Sequence, residues 1–255
     1  MSAGRAAYID LDGTLLGAGG SLLRDGAGAY SRDGVEALAA LHDAAVPVIL
    51  TSGRSRPRLE ATRAALGADG LLAEMGALDA DYPTAPGQSV FEAIAATGIP
   101  AALLERETGL RIHPAAQWGR EGGHVFAGRA GPDAPAWVHD ASGGTLRLAD
   151  NGRIGEGIHT FHLLPARASK RAAVARDVDA RGLDAAECLA VGDSRQDLDM
   201  GRAVGTVAIV ANGAAADPEL AADAPWVTRE GNGAGVREAV EQWLAGRRGG
   251  GPAGP

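Results

Sequence analysis

Residues 6–14 of the chain read AAYIDLDGT, and this stretch decides the fold. Its apolar run ends in Asp10, and the helix breaker Gly13 follows within three residues. A short apolar run closed by a breaker is typical of a buried strand. We therefore predict a central strand over residues 6–11, whose carboxyl end carries the acidic side chains of Asp10 and Asp12.

Helical and strand patterns alternate along the first third and the last third of the chain. The predicted elements are helices over residues 31–45, 56–66 and 168–181 and strands over residues 46–50, 70–73, 188–191 and 207–210. Alternation of this kind is the signature of a parallel sheet with crossover helices. The sequence thus predicts an α/β fold with a Rossmann-like parallel sheet.

The middle of the chain breaks this alternation and predicts an inserted segment. Its pattern is helical over residues 88–108 and 135–141, with strands over residues 110–113, 124–127, 145–149 and 158–164. Such an order indicates a compact α+β insert with an antiparallel sheet. We predict a catalytic core over residues 1–82 and 159–246, an inserted cap domain over residues 83–158, and a disordered Gly-rich tail over residues 247–255.

Composition argues against several classes of protein. Hydrophobic residues make up 45% of the chain and the net charge is −8, with no dense Lys/Arg cluster, so we expect a globular protein without a nucleic-acid partner. No run of 18 apolar residues occurs, so we expect no membrane partner and a cytoplasmic location. Cys188 is the single cysteine, which excludes an intrachain disulfide. Both a monomer and a homodimer are compatible with the sequence.

Asp10 and Asp12 form a carboxylate pair at the end of the first predicted strand. Two carboxylates ~4 Å apart repel each other by roughly 4 kcal/mol at an effective dielectric constant of about 20. The pair persists if a divalent cation lies between the two groups or if one of them is protonated. One carboxylate could then attack phosphorus while the other carries a proton. On its own, the pair could also merely cap a turn between strand and loop.

Three later segments add groups that suit phosphate chemistry. Residues 51–54, Thr-Ser-Gly-Arg, lie between a predicted strand and a helix, where hydroxyls and backbone N–H groups can receive phosphate oxygens. Lys170 lies at the start of a predicted helix, and Asp193 and Asp197 follow a predicted strand. Magnesium prefers hard oxygen ligands such as carboxylates, together with water and substrate phosphate. Asp10, Asp193 and a backbone carbonyl would meet that requirement.

In their order these segments resemble the motifs of the haloacid dehalogenase-like (HAD) superfamily of phosphotransferases, and the layout is similar to the subclass with a type IIB cap. The four motifs correspond to residues 10–14, 51–54, Lys170 and 192–197. The matching core covers roughly residues 5–80 and 160–240, and it includes similar stretches at residues 72–77, 211–214 and 224–228. Gln196 departs from the subclass pattern, in which Asn is usual, although both side chains carry an amide.

The resemblance implies a chemical role for four of the matched residues. Asp10 would be the nucleophile, which forms an aspartyl-phosphate. Asp12 would protonate the leaving oxygen and then activate the water that hydrolyses the intermediate. Thr51 and Lys170 would bind the oxygens of the transferring phosphoryl group.

The resemblance also implies a cofactor and a set of contacts with the substrate. A Mg²⁺ ion would be bound by the acids at the strand ends, namely Asp10, Asp12 through its backbone carbonyl, Asp193 and Asp197. The last of these would contact the ion directly or support it from outside the ligand shell. Substrate contacts would come from polar groups within or near the motifs, namely Ser52, Gly53, Arg54 and Asn212.

Residues 118–124 of the predicted cap, WGREGGH, form a polar loop with internal glycines. Its Arg120, Glu121 and His124 could contact sugar hydroxyls or a second anionic group of the substrate. An exposed turn with a solvated charge pair would explain the same residues equally well. We predict substrate contacts for all three, and we expect the partner to be a small phosphorylated metabolite, for which a sugar phosphate is the first choice.

Four classes of function compete for these residues. A phosphatase would release phosphate, whereas a phosphomutase or phosphotransferase would use the same nucleophile and pass the phosphoryl group on. A receiver-like signalling domain also combines acids, a Thr and a Lys, but the second acid after the Lys and the large insert fit it badly. A non-catalytic binding module on the same fold would not need the intact set of acids. The sequence therefore predicts a Mg²⁺-dependent phosphatase.

Overall fold

Helices and strands form the framework of the part of the chain that the structure describes. The computed structural model describes residues 4–113 and 117–248. The strands are, in chain order, β1 (Ala7–Asp10), β2 (Val48–Thr51), β3 (Gly70–Leu72), β4 (Leu110–Ile112), β5 (His124–Gly128), β6 (Leu146–Gly155), β7 (Ile158–Pro165), β8 (Leu189–Gly192) and β9 (Thr206–Ile209). The helices are α1 (Asp33–Asp43), α2 (Arg56–Leu66), α3 (Val90–Ala96), α4 (Ile99–Arg106), α5 (Ala134–Ala141), α6 (Lys170–Arg181), α7 (Arg195–Met200), α8 (Ala211–Ala216), α9 (Pro218–Asp223) and α10 (Asn232–Arg248).

The parallel sheet has the strand order β3-β2-β1-β8-β9. Every residue of β1, β2 and β8 is buried, as expected of parallel strands that are covered on both faces. The strand order reverses between β1 and β8, and open sheets of this kind bind ligands at the carboxyl ends of the strands at such a point. The register of β1 and β2 sets Asp10 beside Thr51.

The core of this sheet is built from small and aliphatic side chains. Tyr8 of β1, Ile49 of β2 and Ala190 of β8 pack in one cluster with Val174 and Val178 of α6. Full burial of a valine or isoleucine side chain contributes roughly 1.5–3 kcal/mol. This packing fixes the strands, and with them the polar groups at their carboxyl ends.

The chain divides into two compact units. The first comprises Met1–Ser52, Thr62–Leu72 and Lys170–Pro255 and contains the parallel sheet. The second comprises Gly53–Ala61 and Ala73–Ser169 and contains an antiparallel sheet with the order β4-β5-β7-β6 and a hydrophobic core of its own. The predicted fold class, a Rossmann-like parallel sheet with an inserted α+β segment, is confirmed. The predicted domain boundaries and the role of the insert as a cap stay predictions.

Two segments run further than the sequence pattern indicates. Strand β6 continues to Gly155, beyond the predicted end at residue 149, because it keeps pairing with β7 past an irregularity in register after Asp150. Helix α10 ends at Arg248 and so includes the first two residues of the predicted tail, while residues 249–255 lie outside the described residues. Within residues 4–113 and 117–248, no helix has both the length and the apolar character that crossing a membrane requires.

Candidate active site

Three strand ends at one edge of the parallel sheet carry predicted site residues. Asp10 is the last residue of β1, Thr51 is the last residue of β2, and Asp193 follows directly after β8. The carboxyl ends of parallel strands lie at the same edge of a sheet, so chain segments distant in sequence meet there. The structure therefore places side chains from the first, second and fourth motifs at one edge.

Lys170 connects two of the acids at this edge. Its Nζ atom donates a hydrogen bond of 2.6 Å to Asp10 Oδ1 and another of 2.6 Å to Asp197 Oδ1. Lys170 is the first residue of α6 and is only 5% exposed. Because both ion pairs are buried, salt screens them much less than it would at the surface. An ammonium group is thus fixed against the predicted nucleophile.

Asp197 is held by the start of helix α7. It is the third residue of that helix, and its Oδ2 atom accepts hydrogen bonds from the Ser194 hydroxyl at 2.5 Å and from the Ser194 N–H group at 3.1 Å. Gly192 makes the close approach possible, since a Cβ atom there would lie 2.0 Å from Asp197 Cβ. Both carboxylate oxygens of Asp197 therefore have partners within the protein.

The acids at this edge form a group that could hold a cation. One carboxylate oxygen from each of Asp10, Asp193 and Asp197 lies within 4.8 Å of the other two. Lys170 supplies a single positive charge against these three carboxylates. Burying unpaired charge is costly, so the excess negative charge favours a further cation at this point. Hard carboxylate oxygens at this spacing fit Mg²⁺, which proteins usually bind through one or two carboxylates together with water and phosphate.

Burial changes the acidity of the groups at this edge. Burial raises the pKa of Asp10 from 3.8 to about 6, with Lys170 opposing the rise and Asp197 adding to it. Burial, together with the charges of Asp10 and Asp197, raises the pKa of Asp193 from 3.8 to about 8. Burial alone would lower the pKa of Lys170, but the two carboxylates that it contacts outweigh burial and raise it. A bound cation would favour the ionised form of both acids.

The loop after β1 approaches the acids closely. Gly13 has a φ of 88°, which side-chain-bearing residues rarely adopt, and a Cβ atom there would lie 2.2 Å from Asp193 Oδ2. Thr14 Oγ1 donates a hydrogen bond of 2.9 Å to Asp10 Oδ2 and lies 3.4 Å from Asp193 Oδ1. The Asp10 carboxylate is therefore held by Lys170 at one oxygen and by Thr14 at the other.

The other predicted catalytic residues differ in exposure. Asp12 is exposed. Thr51 is fully buried, and its hydroxyl donates to the Met200 sulfur at 3.7 Å. Sulfur is a weak acceptor, which a phosphoryl oxygen could replace. Ser52, also predicted to contact substrate, is almost fully buried next to Thr51 in the chain.

Arg120 lies buried in the second unit, in an ion pair with Glu74. The two side chains are 1% and 0% exposed, and Arg120 Nε lies 3.3 Å from Glu74 Oε2. Arg120 also donates from Nε to Gly123 O at 3.0 Å and from Nη1 to Gly53 O at 2.9 Å. Glu74 accepts the backbone N–H groups of residues 121–122 at 3.0 and 2.9 Å. The pair thus organises the backbone of the polar loop.

Glu74 reaches this position through an uncommon backbone conformation. Glu74, Met75 and Gly76 have φ values of 51°, 57° and 76°, so three consecutive residues are left-handed. For residues other than glycine this conformation costs of order 1–3 kcal/mol each, and it persists only where the surroundings enforce it. The Glu74 N–H group also donates to Arg54 O at 3.0 Å. The backbone of two predicted substrate-binding residues, Gly53 and Arg54, is therefore bound to this pair.

Glu121 and His124 take part in the packing of the second unit. Glu121 is half-exposed and lies 3.8 Å from the guanidinium of Arg56. His124 stacks on Phe91 with ring centroids 3.9 Å apart, and its Nε2 atom lies 3.0 Å from Phe91 O. Burial lowers the pKa of His124, so the ring is neutral at pH 7 and donates its proton to that carbonyl. The substrate contacts predicted for Arg120, Glu121 and His124 stay predictions.

The predicted set of site residues lacks several members of the networks that hold the site, among them Thr14, Asn232 and Glu74. Thr14 lies within the first motif, but the pattern alone does not show that its hydroxyl reaches Asp10. Asn232 binds the loop after β1 and begins α10, and an Asn before an amphipathic stretch is a recognisable helix start. Glu74 lies in the stretch predicted to end the core, and nothing in its sequence neighbourhood indicates a partner 46 residues further on, at Arg120.

Comparison with known proteins shows which sequences and folds this chain resembles. The family model for haloacid dehalogenase-like hydrolases matches residues 153–240. The chain is similar to the phosphoglycolate phosphatase of Methanothermobacter thermautotrophicus, with 28% identity over 242 residues that cover 94% of this chain and 99% of the relative. Its fold is similar to that of the sucrose-phosphatase of Synechocystis sp. PCC6803 (TM-score 0.67, 16% identity, 96% of this chain and 99% of the other covered). The fold of this chain is also similar to that of a sugar phosphatase of HAD subclass IIB (TM-score 0.64, 15% identity, 94% of this chain and 99% of the other covered).

Proposed function

We propose that this chain is a haloacid dehalogenase-like phosphatase of the IIB type, which uses Mg²⁺ to hydrolyse the phosphate monoester of a small metabolite. The observation that carries the proposal is the buried contact of 2.6 Å between Lys170 Nζ and Asp10 Oδ1, at a strand end beside Asp193. A carboxylate held in this way keeps a fixed orientation, and phosphoryl transfer depends mainly on positioning and on electrostatic stabilisation.

The proposed reaction passes through a covalent intermediate on Asp10. A carboxylate oxygen of Asp10 attacks phosphorus, and the bond from phosphorus to the leaving oxygen breaks while Asp12 gives that oxygen its proton. The ionised Asp12 then takes a proton from water, whose oxygen attacks phosphorus and releases inorganic phosphate and free Asp10. Lys170 stabilises the negative charge that surrounds Asp10 in both steps.

A magnesium ion fits the donor set at this edge. The residues that would hold it are Asp10, Asp193 and the backbone carbonyl of Asp12, while Asp197 would orient Lys170 and the loop after β8. We assign Asp197 this supporting role because Lys170 donates to its Oδ1 atom and Ser194 donates twice to its Oδ2 atom. In the described part of the chain, the facing oxygens of Asp10 and Asp193 have only the Thr14 hydroxyl near them. When bound, the ion would neutralise charge on the phosphoryl oxygens.

The substrate class rests on the comparisons. The names of the two structural neighbours favour a sugar phosphate, and the name of the sequence relative favours phosphoglycolate. We place the sugar phosphate first, because the names of both structural neighbours favour it. A phosphomutase or phosphotransferase would use the same nucleophile, but it would transfer the phosphoryl group to an acceptor other than water. The cytoplasmic location and the oligomeric state stay predictions.

The test is a phosphate-release assay with Mg²⁺ on a panel of monoesters that includes 2-phosphoglycolate and several hexose and disaccharide phosphates. We expect release from at least one ester, loss of release in excess EDTA, and restoration by added Mg²⁺. Asp10→Asn should abolish turnover, whereas Asp43→Asn, an exposed aspartate at the end of α1, should leave it unchanged. Turnover near the wild-type rate in Asp10→Asn would exclude the proposed nucleophile.

A further inference from the structure

The carbonyl oxygen of Gly13 accepts hydrogen bonds from two side-chain amides that are distant in the chain. Asn212 Nδ2 donates to it at 2.8 Å, and Asn232 Nδ2 donates to it at 2.9 Å. The whole sequence contains three asparagines, so two of them converge on one backbone oxygen. The third, Asn151, is exposed in β6 and offers a matched control.

The two amides are themselves held in place. Asn212 is the second residue of α8, and its Oδ1 atom accepts the backbone N–H group of Asn232 at 2.8 Å. Asn232 is the first residue of α10, is 7% exposed, and has a φ of 47°. Asparagine is among the few residues that adopt this left-handed conformation readily. The amides and the Gly13 carbonyl thus form one connected set with little freedom to move.

The orientation of the Gly13 carbonyl determines the position of Thr14. A carbonyl oxygen has two lone pairs, so two good donors satisfy it and fix the plane of the peptide that joins Gly13 to Thr14. Thr14 Oγ1 in turn donates to Asp10 Oδ2 at 2.9 Å and lies 3.4 Å from Asp193 Oδ1. An unbroken line of contacts therefore runs from the two amides to the nucleophile.

We propose that Asn212 and Asn232 are positioning residues for Asp10, which act by fixing the Gly13–Thr14 peptide so that the Thr14 hydroxyl holds the carboxylate in its attacking orientation. This inference rests on the proposed function, because Asp10 matters in this way only as the nucleophile. It gives Asn212 a role in the loop after β1, in addition to the substrate contact that the sequence predicts. It also assigns a role to Asn232, which lies 222 residues after Asp10.

The test compares Asn212→Asp, Asn232→Asp and the control Asn151→Asp. Aspartate keeps the shape of the side chain and also tolerates a positive φ, but it places an acceptor where the Gly13 carbonyl needs a donor. We expect kcat to fall by about 10- to 100-fold in the first two variants, because small displacements of reacting groups have effects of this size. KM should change little, since the lost interaction acts on the reacting group and not on the bound substrate. Asn151→Asp should keep the wild-type kcat and KM.

The Asn232→Gly variant distinguishes the effect of losing the amide donor from the effect of adding a negative charge. Glycine accepts the positive φ and removes the amide without adding a carboxylate. A fall in kcat in this variant, with the melting temperature and the active fraction measured in parallel, supports positioning. If kcat per folded molecule stays at the wild-type value in Asn232→Gly and Asn212→Asp while wild type turns over, the positioning role is wrong and the proposed function stands. If wild type hydrolyses no ester, the proposed function fails, and the positioning role fails with it.

Discussion

The buried pair of Arg120 and Glu74 allows a direct test of what the polar loop over residues 118–124 does. Arg120→Met removes the charge and keeps most of the aliphatic bulk. We expect the free energy of unfolding to fall by about 3–5 kcal/mol, the range for breaking a buried ion pair by removing one partner. Both side chains are at most 1% exposed, and the guanidinium also donates to two backbone carbonyls. Each of these features places the loss within that range.

A matched control and a double variant sharpen this prediction. Arg56 lies 3.8 Å from Glu121, but the two side chains are 51% and 48% exposed, so Arg56→Met should cost at most about 1 kcal/mol. Glu74→Gln should also destabilise the protein, because it removes the charged partner of Arg120. The double variant should lose less than the sum of the two single losses, since its second substitution removes a charge that has already lost its partner.

The assay is urea unfolding followed by circular dichroism, with KM for the best ester measured on the same samples. A loss for Arg120→Met no larger than the loss for Arg56→Met would refute the reasoning. A raised KM with an unchanged free energy of unfolding would instead favour the substrate contact that the sequence predicts for Arg120. The two interpretations thus give opposite patterns in the same pair of measurements.

Three further predictions concern the acids of the first unit. Between pH 4 and pH 8 the metal-free protein should lose stability as pH rises. The reason is that the raised pKa of Asp193, about 8, keeps a proton on the folded protein that the unfolded chain has already released. Melting curves measured in EDTA should show this fall in stability, and the Asp193→Asn variant should flatten it. Lys170→Met should lower kcat by about 100- to 1000-fold, as expected for a lost electrostatic contact with the reacting group, and single-turnover kinetics should place the loss in the formation of phosphoenzyme. Gly13→Ala should weaken activation by Mg²⁺ in a titration of initial rate, because its Cβ atom would lie 2.2 Å from Asp193 Oδ2; an unchanged activation midpoint would contradict this.

The parallel sheet and the acids at its edge could be predicted because their signals are local. The strands of a parallel sheet read as continuous apolar runs, and the run that ends at Asp10 is followed at once by a breaker. Helix α2 (Arg56–Leu66) agrees with the predicted range, since Gly67 ends the pattern clearly. A carboxylate that directly follows a short apolar run, as Asp193 does, must lie at the carboxyl edge of the sheet.

The contacts that hold the site could not be predicted, because they join residues distant in sequence. Asn232 and Gly13 are separated by 219 residues, and no local pattern shows that an amide near one helix start will meet a particular carbonyl. Helix α10 begins with Asn-Gly-Ala-Gly, and its two glycines are poor helix formers, so local propensity is weak at its start although Asn232 is a favourable first residue. Its buried residues Val236, Ala239, Val240 and Trp243 follow helical spacing, and this pattern is the signal that could have revealed it.

The backbone at two glycines determines how closely the acids of the first unit approach one another. Gly13 and Gly192 leave space that a Cβ atom would fill, at 2.2 Å from Asp193 Oδ2 and at 2.0 Å from Asp197 Cβ. These two glycines therefore allow the acids to bring carboxylate oxygens within 4.8 Å of one another around Asp10. Lys170 can neutralise only one of the three charges, and Thr14 adds a hydrogen bond but no charge. A larger residue at either glycine would force the acids apart, so the backbone, and not the acids alone, determines how closely the carboxylates at this edge of the sheet approach one another.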